Sequence, residues 1–371
     1  MIFCHSPWTN IDFSPVGNIS PCCKFRTEHY DDRFNIQHHS IEEYKSSSML
    51  NSVKQDFFMG VWPKGCERCK IEEENGIASK RQLDKERWSS MYEENTDDTF
   101  VTASIAFGNT CNLKCITCNP RSSSKWQAEY RDIYLVDVKP HHFYKRGFID
   151  EFLFYAPTVK HIDVPGGEPF LSGITEQQKL LQHYIDKNLS HDISLHYTTN
   201  ATIFPDQTWW DLWRHFKEID IQLSIDGIGK RYEYIRFPAS WSELNENIDK
   251  YLALAVGNIR LSVSHTVSAY NIYYLDEFIT WCYNRSLPDP WLGRVHNPSY
   301  MRPSVWSESS KKLIIDKLSS SNHSAVSPWV DLMKNTDDSN LFPEFKIRLH
   351  QHDIYRNLKF ANTFPELAIY V

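Results

Sequence analysis

Short apolar runs alternate with amphipathic stretches through the middle of the chain. Residues 101–107, 161–164, 194–197, 220–225, 258–265 and 291–295 have the length and β-branched or aromatic content of strands. Between them the apolar period lengthens. Leu275, Phe278, Ile279 and Cys282 recur at i, i+3, i+4 and i+7, which predicts a helix with Asn271 as its N-cap. Trp241, Leu244, Ile248 and Leu252 share a second helical face, opened by Ser240 and Glu243 as a capping box. Trp209, Trp210, Leu212 and Trp213 also have helical spacing and read as core packing, with Cys282 as a small core hydrophobe. Repeated strand–helix units imply parallel strands joined by right-handed crossovers. Six of them predict an α/β fold, an open partial (β/α)6 barrel.

The periodicity divides the chain into three. Residues 1–98 are cysteine-rich and irregular, and end in the polar stretch 93–98, which reads as a linker. The barrel occupies 99–298, and 299–371 form a C-terminal extension packed on it. Eight of the nine cysteines lie in the first 118 residues. No basic-then-apolar leader opens the chain and no run of 18 apolar residues occurs, so a cytoplasmic protein with no membrane partner is expected. Clustered thiols in that setting suggest metal rather than disulfides. The net charge of −7 gives no global bias toward nucleic acid.

In barrels of this type the chemistry sits on loops after the strands. Cys111, Cys115 and Cys118 follow the first strand as C-x3-C-x2-C. A short loop of this kind aims three thiolates at one iron–sulfur cubane and leaves one iron open for a small molecule. The bland alternative is zinc, which ordinarily asks for a fourth ligand that the loop lacks. Gly166-Gly167-Glu168-Pro169 follow the second strand, Thr198-Thr199-Asn200 the third, and Asp226-Gly227 the fourth. Taken singly, these later segments read as turns.

Together the segments resemble the radical S-adenosylmethionine (SAM) superfamily. The cysteine loop is similar to that family's [4Fe–4S] signature, and Gly166–Pro169 to its GGEP segment, whose backbone meets the methionine amino group. Ser224, Asp226 and Arg236 resemble its SIDG segment and downstream arginine, which meet the ribose and carboxylate of SAM. Thr199 and Asn200 stand where relatives carry TNG. Two positions depart from the pattern: Thr117 replaces the aromatic residue that packs near adenine, and Ala201 replaces glycine.

Cys66-x2-Cys69 is a metal knuckle by spacing, which Cys4 and either Cys22 or Cys23 complete to four ligands. Zinc and a cluster both fit such a set. His5 or His29 could stand in for a thiolate, although a lone histidine in such a region reads as a surface residue. The segment resembles SPASM or twitch modules, here placed before the barrel, as in a subgroup often found in phage genomes. That resemblance implies a second, auxiliary [4Fe–4S] cluster. It further implies an enzyme that cleaves SAM reductively, fed by flavodoxin or ferredoxin, and abstracts hydrogen from a peptide or protein side chain. Nucleobase, nucleotide or carbohydrate substrates are the alternative, and a non-catalytic iron–sulfur or zinc binding protein is the reading from another class. No catalytic acid or base stands out; Tyr232, Glu233, His265 and Arg294 lie near strand ends and read as surface or packing residues.

Overall fold

A computed structural model describes residues 2–74, 78–94, 99–138, 145 and 147–371. Among them are nine strands: β1 (Asn10–Phe13), β2 (Asn18–Ser20), β3 (Phe34–Asn35), β4 (Thr102–Ile105), β5 (His161–Val164), β6 (Ser194–Thr199), β7 (Glu218–Ser224), β8 (Ile259–Val267) and β9 (Trp291–Arg294). The last six coincide with the six stretches expected to be strands. The chain clusters into two compact units. One comprises Met1–Thr110, Pro140–Thr198 and Pro205–Asp220; the other comprises Cys111–Lys139, Thr199–Phe204 and Ile221–Val371.

In the first unit β1, β4, β5 and β6 pair in parallel, and β2 and β3 extend the edge antiparallel to β1. The N-terminal segment therefore shares a sheet with the first strands of the expected barrel, because β1 supplies the edge that β4 needs. No border between units falls at 98/99. The segment is also less irregular than its composition suggests. It carries helices Ser48–Phe58, Glu67–Glu74 and Lys80–Glu94. Glu93 and Glu94 of the expected linker lie at the end of the last of these, and 95–98 fall outside the described residues.

One face of this sheet is apolar. Ile11, Ala103, Ile162 and Leu195 stand side by side in register and are all buried. Phe13 meets Phe148 edge-on at 5.0 Å from the helix Phe148–Tyr155. Tyr197, Trp209 and Trp213 pack within 5.1–6.0 Å of one another, so the tryptophan-rich stretch forms core as expected.

In the second unit β8 pairs in parallel with β9. Its core joins Ile235, Val267, Tyr270, Leu275, Val305, Trp306 and Ile314 to Phe345, Leu349, Phe360 and Phe364, so the C-terminal residues belong to the same core as the strands. The helix Trp241–Leu254 begins at Ser240, whose side chain accepts from the Glu243 N–H. The helix Leu275–Asn284 buries Leu275, Phe278, Ile279 and Cys282 as the periodicity requires. Asn271 does not cap it. A 3-10 turn, Ile272–Tyr274, intervenes, and the Asn271 amide instead donates to the carbonyls of Asp226 (3.0 Å) and Thr266 (2.9 Å). No helix among the described residues is long and apolar enough to cross a membrane.

Candidate functional site

The loop carrying Cys111, Cys115 and Cys118 is held by its own backbone. Leu113 and Ile116 are buried and anchor the loop to the core, Cys111 is buried beside them, and Cys115 and Cys118 are partly buried. The N–H groups of Lys114 and Ile116 donate to the carbonyls of Phe237 (2.8 Å) and Ile235 (2.7 Å). The carbonyls of Leu113, Lys114 and Cys115 accept from Ser123 Oγ (2.5 Å), Arg356 Nη2 (2.8 Å) and Trp126 Nε1 (2.9 Å). Both faces of the loop's backbone are thus engaged, and a loop without regular structure is given one shape.

The three thiols are close enough to feel one another's charge. Burial, with further contributions from the neighbouring sulfurs, pushes Cys115 and Cys118 each up to about 12. Arg236 pulls both the other way. Thiols so placed stay protonated until a cation compensates them, and metal binding supplies that compensation by displacing the protons. Cys111 Sγ also accepts from the Leu113 N–H at 3.4 Å and from Asn200 Nδ2 at 3.8 Å.

Behind the loop lies a buried charge cluster that sequence reasoning missed. Glu129 is fully buried and meets Lys114 Nζ at 2.7 Å, His352 Nδ1 at 2.8 Å and Arg356 Nε at 2.8 Å. Burial alone would raise the Glu129 carboxyl; His352, Arg356 and Lys114 outweigh it and hold it down at about 2. Its residues are scattered from Lys114 to Arg356, and no local spacing announces them.

The other expected cofactor residues of this unit cluster around strand ends. Asn200 bonds Asn112 Oδ1 at 2.9 Å, and Asn112 in turn donates to Thr202 Oγ1 at 2.8 Å, so this turn is tied to the cysteine loop. Thr199 Oγ1 accepts from the Ala201 N–H at 3.1 Å. Ala201 has φ +60°, a left-handed conformation that explains why glycine suits the position. Ser224 Oγ lies 3.2 Å from Ser264 Oγ. Asp226 accepts from the Thr266 N–H at 2.7 Å and forms a buried ion pair with Arg236 at 2.9 Å. The Arg236 Nε is buried without a hydrogen-bond partner, a donor suited to a carboxylate ligand. His265 is buried with Nδ1 against the Ile225 carbonyl, and burial lowers it to about 4. Glu233 accepts from the Trp241 N–H, Tyr232 is buried, and Arg294 contacts Ser304 and Asp338.

In the first unit Gly166–Pro169 fold tightly against residues 106–110. Gly166 has φ +135°, and a Cβ on Gly167 would lie 2.2 Å from the Thr110 carbonyl oxygen, so only glycine fits. The Glu168 N–H donates to that same carbonyl at 2.8 Å, and Glu168 is buried.

Cys4, Cys22, Cys66 and Cys69 line one cavity, with Lys80, Arg81 and Asp84 among its other walls. Cys23 is exposed and is not part of that lining. Burial pushes Cys4, Cys22 and Cys66 all up, and each is raised further by other thiols of the set. His29 is exposed, with Nε2 3.8 Å from Glu67 Oε2. Among the described residues, no three His, Cys, Asp or Glu side chains converge as a group that could hold a metal ion.

No family model matches the sequence, and no curated protein matches it. Among solved structures, anSMEcpe with bound AdoMet is 17% identical at a TM-score of 0.45, over 63% of this chain and 62% of that one. Streptococcus suis SuiB bound to S-adenosylmethionine is 13% identical at 0.37, over 78% and 62%. TYW1 with a lysine–pyruvate adduct is 13% identical at 0.36, over 64% and 74%. The chain spans about three fifths of the length of the first of these.

Proposed function

We propose that the chain is a radical SAM enzyme built on a partial barrel of six strand–helix units, with a cysteine-rich module before it. The observation that carries this reading is the C-x3-C-x2-C loop, whose three cysteines sit on a backbone anchored through both its N–H and its carbonyl groups. Cys111, Cys115 and Cys118 would hold the [4Fe–4S] cluster. Gly166–Pro169, Thr199, Asn200, Ser224 and Arg236 would hold SAM, with Asp226 acting through its ion pair to Arg236. So held, the two groups would supply one-electron reductive cleavage of SAM and, through it, hydrogen-atom abstraction from a substrate.

The chain's own residues bind and orient. The glycines at 166 and 167 let this segment close against the backbone of residues 106–110, where a Cβ would clash. Arg236 offers its buried Nε to a carboxylate. The Leu113 N–H and Asn200 amide at Cys111 Sγ are the kind of donors that tune a cluster's potential.

A second, auxiliary cluster on Cys4, Cys22, Cys66 and Cys69 is supported by their sharing one cavity. A peptide or protein side chain remains the preferred substrate, flavodoxin or ferredoxin the electron donor, and the cytoplasm the location. The test is anaerobic reconstitution. The wild type is expected to bind about eight irons, four per cluster, and to release 5′-deoxyadenosine from SAM under a strong reductant. Replacing Cys111, Cys115 and Cys118 together by Ala should leave about four irons and no SAM cleavage. Full iron in the triple variant, or cleavage without the three cysteines, would overturn the reading.

A further inference from the structure

Residues 224–227 leave the end of β7 as a turn whose backbone is held by side chains from β8 and from the residues after it. The Ile225 N–H donates to the Ser264 carbonyl at 2.9 Å. The Ile225 carbonyl faces His265 Nδ1, also at 2.9 Å. A carbonyl oxygen can only accept, so Nδ1 is the protonated nitrogen and donates. The Asn271 amide donates to the carbonyls of Asp226 (3.0 Å) and Thr266 (2.9 Å), while its Oδ1 accepts from the Ser268 N–H at 2.7 Å. His265 and Asn271 are both buried, and neither serves the helix that follows.

These bonds fix Asp226 through both its backbone and its carboxylate. Its carbonyl accepts from Asn271, its Oδ1 accepts from the Thr266 N–H at 2.7 Å, and its Oδ2 lies 2.9 Å from Arg236 Nη2. Thr266 meets Asp226 through its N–H and Asn271 through its carbonyl, which closes a ring of hydrogen bonds around the turn. Arg236 is placed from its other side as well. The carbonyls of its two chain neighbours, Ile235 and Phe237, accept from Ile116 and Lys114 of the cysteine loop. The guanidinium is buried and its Nε has no hydrogen-bond partner. A buried donor left unmet costs free energy until an acceptor reaches it, and on a cation the matching acceptor is an anion. Arg236 is therefore aimed by two sets of bonds, one through the cysteine loop and one through Asp226.

We propose that Asn271 and His265 are positioning residues of the SAM site, which hold the Asp226 and Ile225 carbonyls so that Asp226 aims Arg236 at the ligand's carboxylate. The assignment rests on the enzyme reading above. Both residues act through Asp226. A side chain that served only the fold would affect every ligand of the site alike. One that aims Arg236 affects ligands that carry a carboxylate, because the carboxylate is the group the guanidinium meets.

The experiment is anaerobic calorimetric titration of the reconstituted full chain with SAM and with decarboxylated SAM, which keeps the amine, the sulfonium and the adenosine. The wild type should prefer SAM. Asn271→Asp keeps an oxygen for the Ser268 N–H but removes the amide donors, and His265→Leu removes the donor to Ile225. Each should weaken SAM binding about 10-fold and leave decarboxylated SAM within about 2-fold, at unchanged iron content. His265→Asn, whose amide can donate in place of Nδ1, should keep the wild-type preference. Equal weakening toward both probes, or no weakening, in Asn271→Asp or His265→Leu overturns the proposal. So does a loss in His265→Asn that matches His265→Leu, since the ring's bulk rather than its donor would then be the cause. If Asn271→Asp lowers the iron content, the two His265 variants decide. A wild type that binds neither probe defeats the enzyme reading, and one that binds both alike defeats the carboxylate role of Arg236; this assignment falls with either. A wild type that prefers SAM, with variants that keep the preference, defeats this assignment alone.

Discussion

Replacing Glu129 by Gln should loosen the cysteine loop from behind. The carboxylate is wholly buried and serves Lys114, His352 and Arg356 at once. A carboxyl held at about 2 instead of 4.5 binds its proton about 3 kcal/mol less favourably in the folded chain. Removing one partner from a buried charge set costs about 3–5 kcal/mol, because the remaining charges stay desolvated. Glu129→Gln is therefore expected to destabilise the second unit by about 3 kcal/mol at pH 7.5. The contribution is fully present above pH 4.5, where the unfolded carboxyl is also ionised, and fades as pH falls through about 2. Urea unfolding of the apoprotein, followed by tryptophan fluorescence, measures it. Arg356→Met removes the same pair and the bond to the Lys114 carbonyl, and should also lower iron retention on the Cys111 loop. The double variant should cost less than the two singles added, by 1 kcal/mol or more on the order of known coupling energies. A loss under about 1 kcal/mol for Glu129→Gln, or strict additivity with Arg356→Met, would refute the view that this cluster braces the loop.

Cys22→Ala should cost the N-terminal site its metal, whereas Cys23→Ala should not, since only Cys22 lines the cavity with Cys4, Cys66 and Cys69; metal analysis after anaerobic purification checks this, and the reverse result would move the ligand to Cys23. Asp12→Asn should stabilise the fold at pH 7.5 by about 2 kcal/mol, because burial raises the Asp12 carboxyl to about 6. That penalty on the ionised form is absent below pH 3.8 and grows as pH rises through about 6, so the gain should vanish in acid. Unfolding of both proteins across that range tests it, and equal stability at pH 7.5 would show that Asp12 is compensated after all.

Period and punctuation made much of the framework legible. The strands β4 to β9 followed from short apolar runs, the helix at Leu275 from its i, i+3, i+4 stripe, and the Ser240 cap from one side chain and its neighbour. These are local properties, and local sequence decides them. The three-cysteine loop and the tight glycines at 166 and 167 were visible for the same reason, since each is a short-range pattern. Asn271 misled because a 3-10 turn separates it from the helix, and its amide found stronger partners at Asp226 and Thr266. Tertiary structure alone decided what lies far apart in sequence. It drew β1 into the sheet beside β4, put Cys22 but not Cys23 into the lining of the cavity shared with Cys4, Cys66 and Cys69, and gathered Lys114, Glu129, His352 and Arg356 behind one loop. A polar row on the first unit's sheet lay between these extremes. The alternation Thr102-Ser104, His161-Asp163 and Ser194-His196 stands in the sequence, but strand register aligned it into a line. A residue's own neighbours set its strand and its face, while only the pairing of distant strands sets which charges must share one dielectric and find partners there.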